Sequence, residues 1–491
     1  MKMYKIFKDV SYKLFQEGEN FEIKGIEYDS RKIEKDFVFV AMTGSTVDGH
    51  DFIQKAIDSG AKMIVCEKDV NVKEYRNADS VTFVQVEDIR KKLGIIASNY
   101  YDYPQNKIKI VGITGTNGKT TSSFILENIL EKTARIGTTG NRILDEEFET
   151  VNTTPESLEL IKLIDKSVKK GADYFIMEVS SHALQIGRVD MLQFDSAIFT
   201  NLTQDHLDFH ATMAEYFDAK ALFFRPGSPT RAARAGGCVD DEWGEKMASV
   251  FGSGVRTLAT RGQAGDYTVS AVQTVERGGQ EFRLAAPSGA VVAATVPLPG
   301  RFNVANAALA LALADTVGVD MTALLPGLAG VGVPGRMEVV DCGQDFLAVV
   351  DYAHKPAAIK AVLATVRGQV TGRIGLVVGA GGDRDHSKRP IMGAEAAAGA
   401  DYVVVTDDNP RNEDPAAIRA QVLAGTAAGS AEVVEIGDRR AAIRQVVAWA
   451  KPGDAVIIAG KGHEVGQLID GVTHHFDDRE ELRAALEGRD Q

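Results

Sequence analysis

Short apolar runs alternate with helix-like stretches along most of the chain. In residues 1–105 the runs Phe37–Ala41, Met63–Cys66 and Val81–Val86 read as strands, with a helical pattern at Asp51–Ser59 between the first two. Such alternation predicts a small α/β domain. Lys107–Ile113 is a further apolar strand, followed by a glycine turn and a helix from about Lys119. Tyr174–Glu178 and Ser196–Thr200 have the composition of buried strands, so residues 106–335 read as a parallel-sheet nucleotide-binding domain. After Pro334-Gly335 the pattern restarts. Phe346–Asp351, Ile374–Val378, Tyr402–Thr406 and Ala455–Ala459 are strands separated by alanine-rich helices, which predicts a doubly wound, Rossmann-like unit over residues 336–491.

A chain of 491 residues suits several cores rather than one. It carries 55 basic and 68 acidic residues, a formal charge of −13, with no long Lys/Arg run. That argues against a nucleic acid or an anionic membrane as partner and leaves room for local basic pockets. The opening MKMYKIFKDV has no apolar run behind its lysines. The longest apolar stretches, such as Ala307–Ala314, fall far below the roughly 20 residues of a membrane span. A cytoplasmic protein is expected. Cys66, Cys238 and Cys342 lie far apart and form no CxxC pair, so they read as reduced, mostly buried thiols.

Lysine and arginine are unevenly distributed. Residues 1–224 hold 22 of the 28 lysines and 6 of the 27 arginines; residues 225–491 hold the other 6 lysines and 21 arginines. The switch falls near Phe223–Arg225. Solvated surfaces accept either cation, so nothing physical demands it. The pattern reads as two source sequences of different nucleotide bias joined in one frame, against the plainer alternative of a natural gradient.

Gly115-Thr116-Asn117-Gly118-Lys119-Thr120-Thr121 follows a strand and opens a helix. Glycines let backbone N–H groups close around phosphate oxygens, and the helix N-terminus favours negative charge. Lys119 can reach the outer phosphates and Thr120 can hold Mg²⁺. The full Walker spacing asks for glycine at 113, where Ile113 stands.

With that loop go ITGTNGKTT (113–121), NTTPE (152–156), MEVSSHAL (177–184), NLTQDHLDFH (201–210) and YFDAK (216–220). After the switch follow LPGRFNVANA (298–307), VPGRME (333–338), VDYAHKP (350–356), GAGGDRDHSKRP (379–390), DNPR (408–411) and GKGHE (460–464). In this combination the chain resembles the Mur ligase family over nearly its whole length, on both sides of the switch. Within the family it is similar to the branch that adds the third residue of the peptidoglycan stem peptide.

The resemblance implies three domains: UDP-substrate-binding, ATP-binding and amino-acid-binding. It also implies an ATP-dependent amide ligase acting through an acyl phosphate, and a monomer or weak dimer. Glu178 and His206 would then be Mg²⁺ ligands with Thr120, and Lys220 would match a lysine that the family carbamylates. Asp205 and Asp208 would cap or orient. Asn152, Thr153, Thr154, Ser180 and Arg188 resemble contacts to the muramoyl-dipeptide. Tyr28, Ser30, Ser45, Thr46 and Val47 align with uridine-nucleotide contacts. Asn303 and Asn306 match adenine-side residues, and Arg336 and His354 match ATP contacts brought in by the third domain. Asp408-Asn409-Pro410-Arg411 resembles the motif of ligases that add meso-diaminopimelate. Arg411 and Arg384 would take carboxylates there, and Glu464 and the Gly460 carbonyl would take the distal ammonium.

Three readings compete. A meso-diaminopimelate-adding ligase leads. A lysine-adding or tetrahydrofolate-type polyglutamate ligase is disfavoured by DNPR, by the Ser30 loop and by NTTP. A nucleotide-binding hybrid without productive turnover stays open, because the site residues are split across the composition switch.

Overall fold

The computed structural model describes residues 3–44, 47–150, 152–206, 209–252, 254–275 and 278–488. Three main sheets follow one another along the chain. The first has five strands in the order Lys13–Gln16, Thr82–Gln85, Ala61–Cys66, Phe37–Ala41, Gly25–Glu27; all pairs are parallel except the first. The second has eleven strands and the third six. Strands form at Phe37–Ala41, Tyr174–Glu178, Ile374–Val378 and Ala455–Ala459, as the apolar runs predict. The helix expected over Asp51–Ser59 starts at Ile53, because Gly49–Phe52 form a tighter turn capped by the Asp48 side chain.

The middle of the eleven-stranded sheet is parallel: Thr133–Gly137, Tyr174–Glu178, Lys109–Thr114, Ser196–Phe199, Arg234–Cys238 and Val255–Ala259 lie side by side. Its edges are not. Gly140–Ile143 and Glu146–Phe148 extend one edge antiparallel; at the other, Tyr267–Thr274 joins Val255–Ala259 parallel and then forms an antiparallel meander with Gln280–Ala285 and Val291–Val296. The meander strands alternate buried and exposed residues, as in Val291–Val296, the signature of a sheet with one wet face. The expected parallel sheet forms the centre, and continuous apolar runs carry no sign of the alternating strands added at its edges.

Two helices cover one face of the central strands. Lys119–Ile129 buries Ile125, Leu126 and Ile129, and Arg301–Thr316 is apolar almost all round and buried accordingly. At the amino-terminal ends of the strands they leave a cavity of about 190 Å³, between Leu126 and Leu130 on one side and Leu313, Ala314 and Val317 on the other. Among the described residues no helix is long and apolar enough to cross a membrane.

The first domain is tied to the second by Arg90, which pairs with Glu156 at 2.6 Å, and by Lys162 with Glu27. In the third sheet Leu347–Asp351, Ala455–Ala459, Ile374–Val378, Tyr402–Val405 and Glu432–Glu435 run parallel in that order. Arg439 and Asp478 pair beneath it with no side-chain exposure. Arg439 gives Nε to Oδ1 and Nη2 to Oδ2, both at 2.7 Å, and Nη2 also reaches the Ala459 carbonyl at 2.9 Å.

Candidate active site

Parallel strands deliver loops at their carboxyl ends, and the chemistry-bearing residues gather there. In the central sheet Glu178 pairs in register with Ile113, and Phe199 with Thr114. The phosphate loop, the Glu178 carboxylate and the loop 200–206 are therefore neighbours by construction.

Gly115 and Gly118 have φ of +144° and +85°; a β-carbon on them would meet Thr200 Oγ1 at 1.8 Å and Asn306 Oδ1 at 2.5 Å. Only glycine fits either place. Thr116 accepts from Thr203 N at 3.0 Å and shares a hydrogen bond with Tyr216 OH, and Asn117 N donates to Asn201 Oδ1. Thr120 and Thr121 are buried in the first helical turn. Asn306 lies against the loop and bonds to Asn303; neither is a cap, since Gly300 holds that position.

Lys119 Nζ donates to the Gly115 and Thr116 carbonyls at 2.9 and 3.0 Å, and burial pushes its ammonium down to about 8. Glu178 is buried. Its Oε1 accepts from Thr138 N and its Oε2 from Thr138 Oγ1, both at 3.1 Å. Gly137 makes room for it, since a β-carbon there would meet Oε1 at 2.3 Å. Thr138 was not singled out from sequence; the Gly-Thr-Thr-Gly turn after the strand Thr133–Gly137 was the available signal.

Lys220 is not the solvent-facing helix residue that a lone lysine suggests. It is 1% exposed, donates to Gly115 O at 3.0 Å and lies 4.8 Å from the Tyr216 ring. Burial, and then Lys119, hold its pKa well below the ordinary lysine value. His206 has φ +53° and a half-exposed ring 3.2 Å from Asp205. Leu207 and Asp208 lie outside the described residues.

Beside the loop, the Thr120 hydroxyl and the Glu178 carboxylate offer oxygen donors that suit a hard divalent cation. Among the described residues no three His, Cys, Asp or Glu side chains converge. The donors fit an ion shared with nucleotide phosphates better than one caged by protein.

Thr154 joins this site: its hydroxyl donates to Glu178 O at 2.9 Å and accepts from Ser180 N at 3.0 Å. Thr153 meets Thr138, and the Asn152 carbonyl accepts from Thr150. Arg188 is less free than a ligand contact implies. It binds Glu156 through Nε and Nη2 and the Thr154 carbonyl through Nη1. In the first domain Ser30 is buried in a turn capped by Asp29, Tyr28 is pushed up to about 12 by burial, and Val47 is exposed. Ser45 and Thr46 lie outside the described residues.

The third domain contributes from the same strand ends. Arg336 stacks 4.4 Å from the Tyr352 ring, and its Nε is buried without a partner. His354 donates Nδ1–H to Tyr352 O and is kept neutral by burial and by Lys355, down to about 3. Asn409 anchors the next loop: its Nδ2 reaches Glu464 Oε2, and its Oδ1 accepts from Lys461 Nζ, both at 2.9 Å. Burial and Asp408 push the Glu464 carboxyl up. Asp408 lies so near Gly460 that a β-carbon there would meet Oδ2 at 2.5 Å. Arg411, after Pro410, has φ +55° and gives Nη1 to Gly382 O at 2.7 Å. The exposed Arg384 flanks the same glycine turn: a β-carbon at Gly381 would meet Arg411 Nη1 at 2.8 Å and Arg384 Cγ at 3.9 Å. Fully buried Arg389 braces the turn through Gly381 O and both oxygens of Glu413.

Family models match this arrangement in three successive pieces: Mur ligase family, catalytic domain over residues 22–101; Mur ligase middle domain over 113–314; and Mur ligase, glutamate ligase domain over 335–462. The UDP-N-acetylmuramoyl-L-alanyl-D-glutamate–2,6-diaminopimelate ligase of Corynebacterium efficiens is 51% identical over 479 residues, covering 95% of this chain and 91% of its own. The enzyme of the same name from Fusobacterium nucleatum is 41% identical and covers 98% of each chain. A solved structure bearing that name matches with a TM-score of 0.66 at 35% identity, over 96% of both chains. From its amino-terminal sheet to its carboxyl-terminal one, the chain belongs to the Mur ligase family.

Proposed function

We propose that this chain joins meso-diaminopimelate to UDP-N-acetylmuramoyl-L-alanyl-D-glutamate with hydrolysis of ATP to ADP and phosphate. The glutamyl carboxylate attacks the γ-phosphorus and ADP leaves. The neutral amine then attacks the acyl carbon, the tetrahedral intermediate collapses, the bond from carbon to the phosphate oxygen breaks, and the amine proton passes to solvent. Lys119 and Arg336 offset the phosphate charge during both steps. Thr120, Glu178 and His206, with a carbamate on Lys220, would hold a Mg²⁺ whose charge supports phosphoryl transfer. The depressed pKa of Lys220 supports that role, because the neutral amine is the form that adds carbon dioxide.

The observation that carries the choice of amino acid is the pair of guanidiniums, Arg411 and Arg384, at one glycine turn near Glu464. An amino acid with a distal carboxylate and ammonium complements that set; lysine leaves a guanidinium unmatched. The test is phosphate release from ATP with UDP-N-acetylmuramoyl-L-alanyl-D-glutamate and meso-diaminopimelate, L-lysine or no amino acid. Release that requires meso-diaminopimelate is expected. Equal release with L-lysine overturns the pocket assignment. Bound ATP without release under any condition favours the hybrid without turnover.

A further inference from the structure

Lys355 sits between His354 and Pro356, in extended backbone at the N-cap of helix Pro356–Arg367. From there its ammonium reaches out of the third domain and pairs with Asp205 of the second. Both side chains are mostly buried, 20% and 13% exposed. Among the described residues it is the one ion pair that joins the third domain to the rest of the chain, whereas the first domain is held by two pairs between residues distant in the chain, Arg90–Glu156 and Lys162–Glu27.

The location gives the pair a consequence. Asp205 interacts electrostatically with Lys119, so its carboxylate works against a triphosphate on the loop unless it is neutralised. The cation that neutralises it comes from the domain that carries the amino-acid pocket. Lys355 follows strand Leu347–Asp351, and the neighbouring strand Ala455–Ala459 leads directly into Gly460 and Glu464.

We propose that Lys355 is a positioning residue. By engaging Asp205 it latches the third domain against the phosphate site, so that the site gains its full positive charge only when the amino-acid pocket is docked beside it. The proposal rests on the ligase reading above for its kinetic consequence, though not for the latch itself. It also crosses the composition switch: Lys355 is one of only six lysines after residue 224, and Asp205 lies before it.

The test compares the wild-type chain with Lys355→Met, Lys355→Arg, Asp205→Asn and the Lys355→Met/Asp205→Asn double variant. X-ray scattering with a non-hydrolysable ATP analogue reads closure directly. The wild type and Lys355→Arg should become more compact with the analogue, and Lys355→Met should not. In phosphate release, Lys355→Met should lower kcat/KM for the amino acid roughly ten- to a hundredfold, the scale of one charge-assisted contact. Nucleotide binding measured alone should also weaken in Lys355→Met, because Asp205 is left unneutralised beside the loop, and Lys355→Arg should recover most of both losses. Because the two residues act as one unit, the double variant should be little worse than either single one. Closure and turnover of Lys355→Met equal to wild type, or independent additive losses in the double variant, overturn the latch. A wild-type chain that closes yet releases no phosphate with any amino acid overturns the ligase reading and leaves the scattering result to judge the latch.

Discussion

Arg411 gives the sharpest test of substrate choice. Its backbone is fixed without its side chain: its N–H donates to Leu468 O at 3.0 Å and its carbonyl accepts from Asp470 N at 2.8 Å. Arg411→Ala should therefore leave the loop in place and remove only the guanidinium. One guanidinium nitrogen is committed to Gly382 O at 2.7 Å, and the rest of the fork is available to a carboxylate. A charge-assisted hydrogen bond contributes about 1.5–3 kcal/mol, so losing the fork should raise KM for meso-diaminopimelate roughly ten- to 150-fold. Arg411→Lys keeps a charge without the fork and should fall between the two. L-lysine has no distal carboxylate, so the preference for meso-diaminopimelate over L-lysine should shrink by the same factor, while KM for ATP stays within about twofold. The assay is phosphate release with each substrate varied in turn. A parallel rise in KM for ATP, or an unchanged preference between the two amino acids, would show that Arg411 serves the fold rather than the distal carboxylate.

Lys220→Ala should abolish turnover while nucleotide still binds, and short carboxylic acids should restore part of the activity by supplying the missing anion; full activity in the variant would sink the carbamate role. Arg439→Ala should destabilise the third domain by about 3–5 kcal/mol in chemical denaturation, because Asp478 keeps a buried, unpaired charge. Arg439→Met/Asp478→Leu should be milder, and an equally severe double variant would rule out buried charge as the cause. Hydrogen bonds from Arg389 hold the Glu413 carboxyl down to about 2 from an ordinary 4.5. A depressed folded-state pKa stabilises above the unfolded value and is lost as pH falls through the folded one. Melting temperature should accordingly fall between pH 4.5 and 2. Glu413→Gln should flatten that decline, and an identical acid profile in the variant would refute the linkage.

Much of this arrangement was legible from sequence because it is local. The phosphate loop lies within seven consecutive residues, and the strand before it and the helix after it announce themselves by apolar period. Lys220 was legible only through resemblance, since a lysine on a helix carries no sign of burial; its setting is made by Gly115 and Tyr216, distant in the chain. Thr138, Arg389 and Arg439 were missed for a related reason. Each does its work through a partner that the fold, not the spacing, brings near. The antiparallel meander at residues 267–296 was passed over because its strands are half polar and interrupt no apolar run.

The composition switch acquires a mechanical meaning once the central sheet is known. Six of its strands precede residue 224 and five follow, and the halves meet along Ser196–Phe199 and Arg234–Cys238. Phe194 packs edge-to-face on Phe223 and Phe199 on Phe224, Phe223 and Phe224 lie tilted against each other, and Phe251 from beyond the switch closes the cluster. The cavity between Leu126 and Leu313 lies on the same boundary. A chain cut at this point would leave a fully buried strand with a bare hydrogen-bonding edge on one fragment and its natural cover on the other. Such fragments should be sticky apart and soluble together. Any exchange of sequence here succeeds only where two parents agree on the inward face of a single sheet. That agreement demands far more than a flexible linker would, and where it falls short by a methyl group or two the sheet is left with a void.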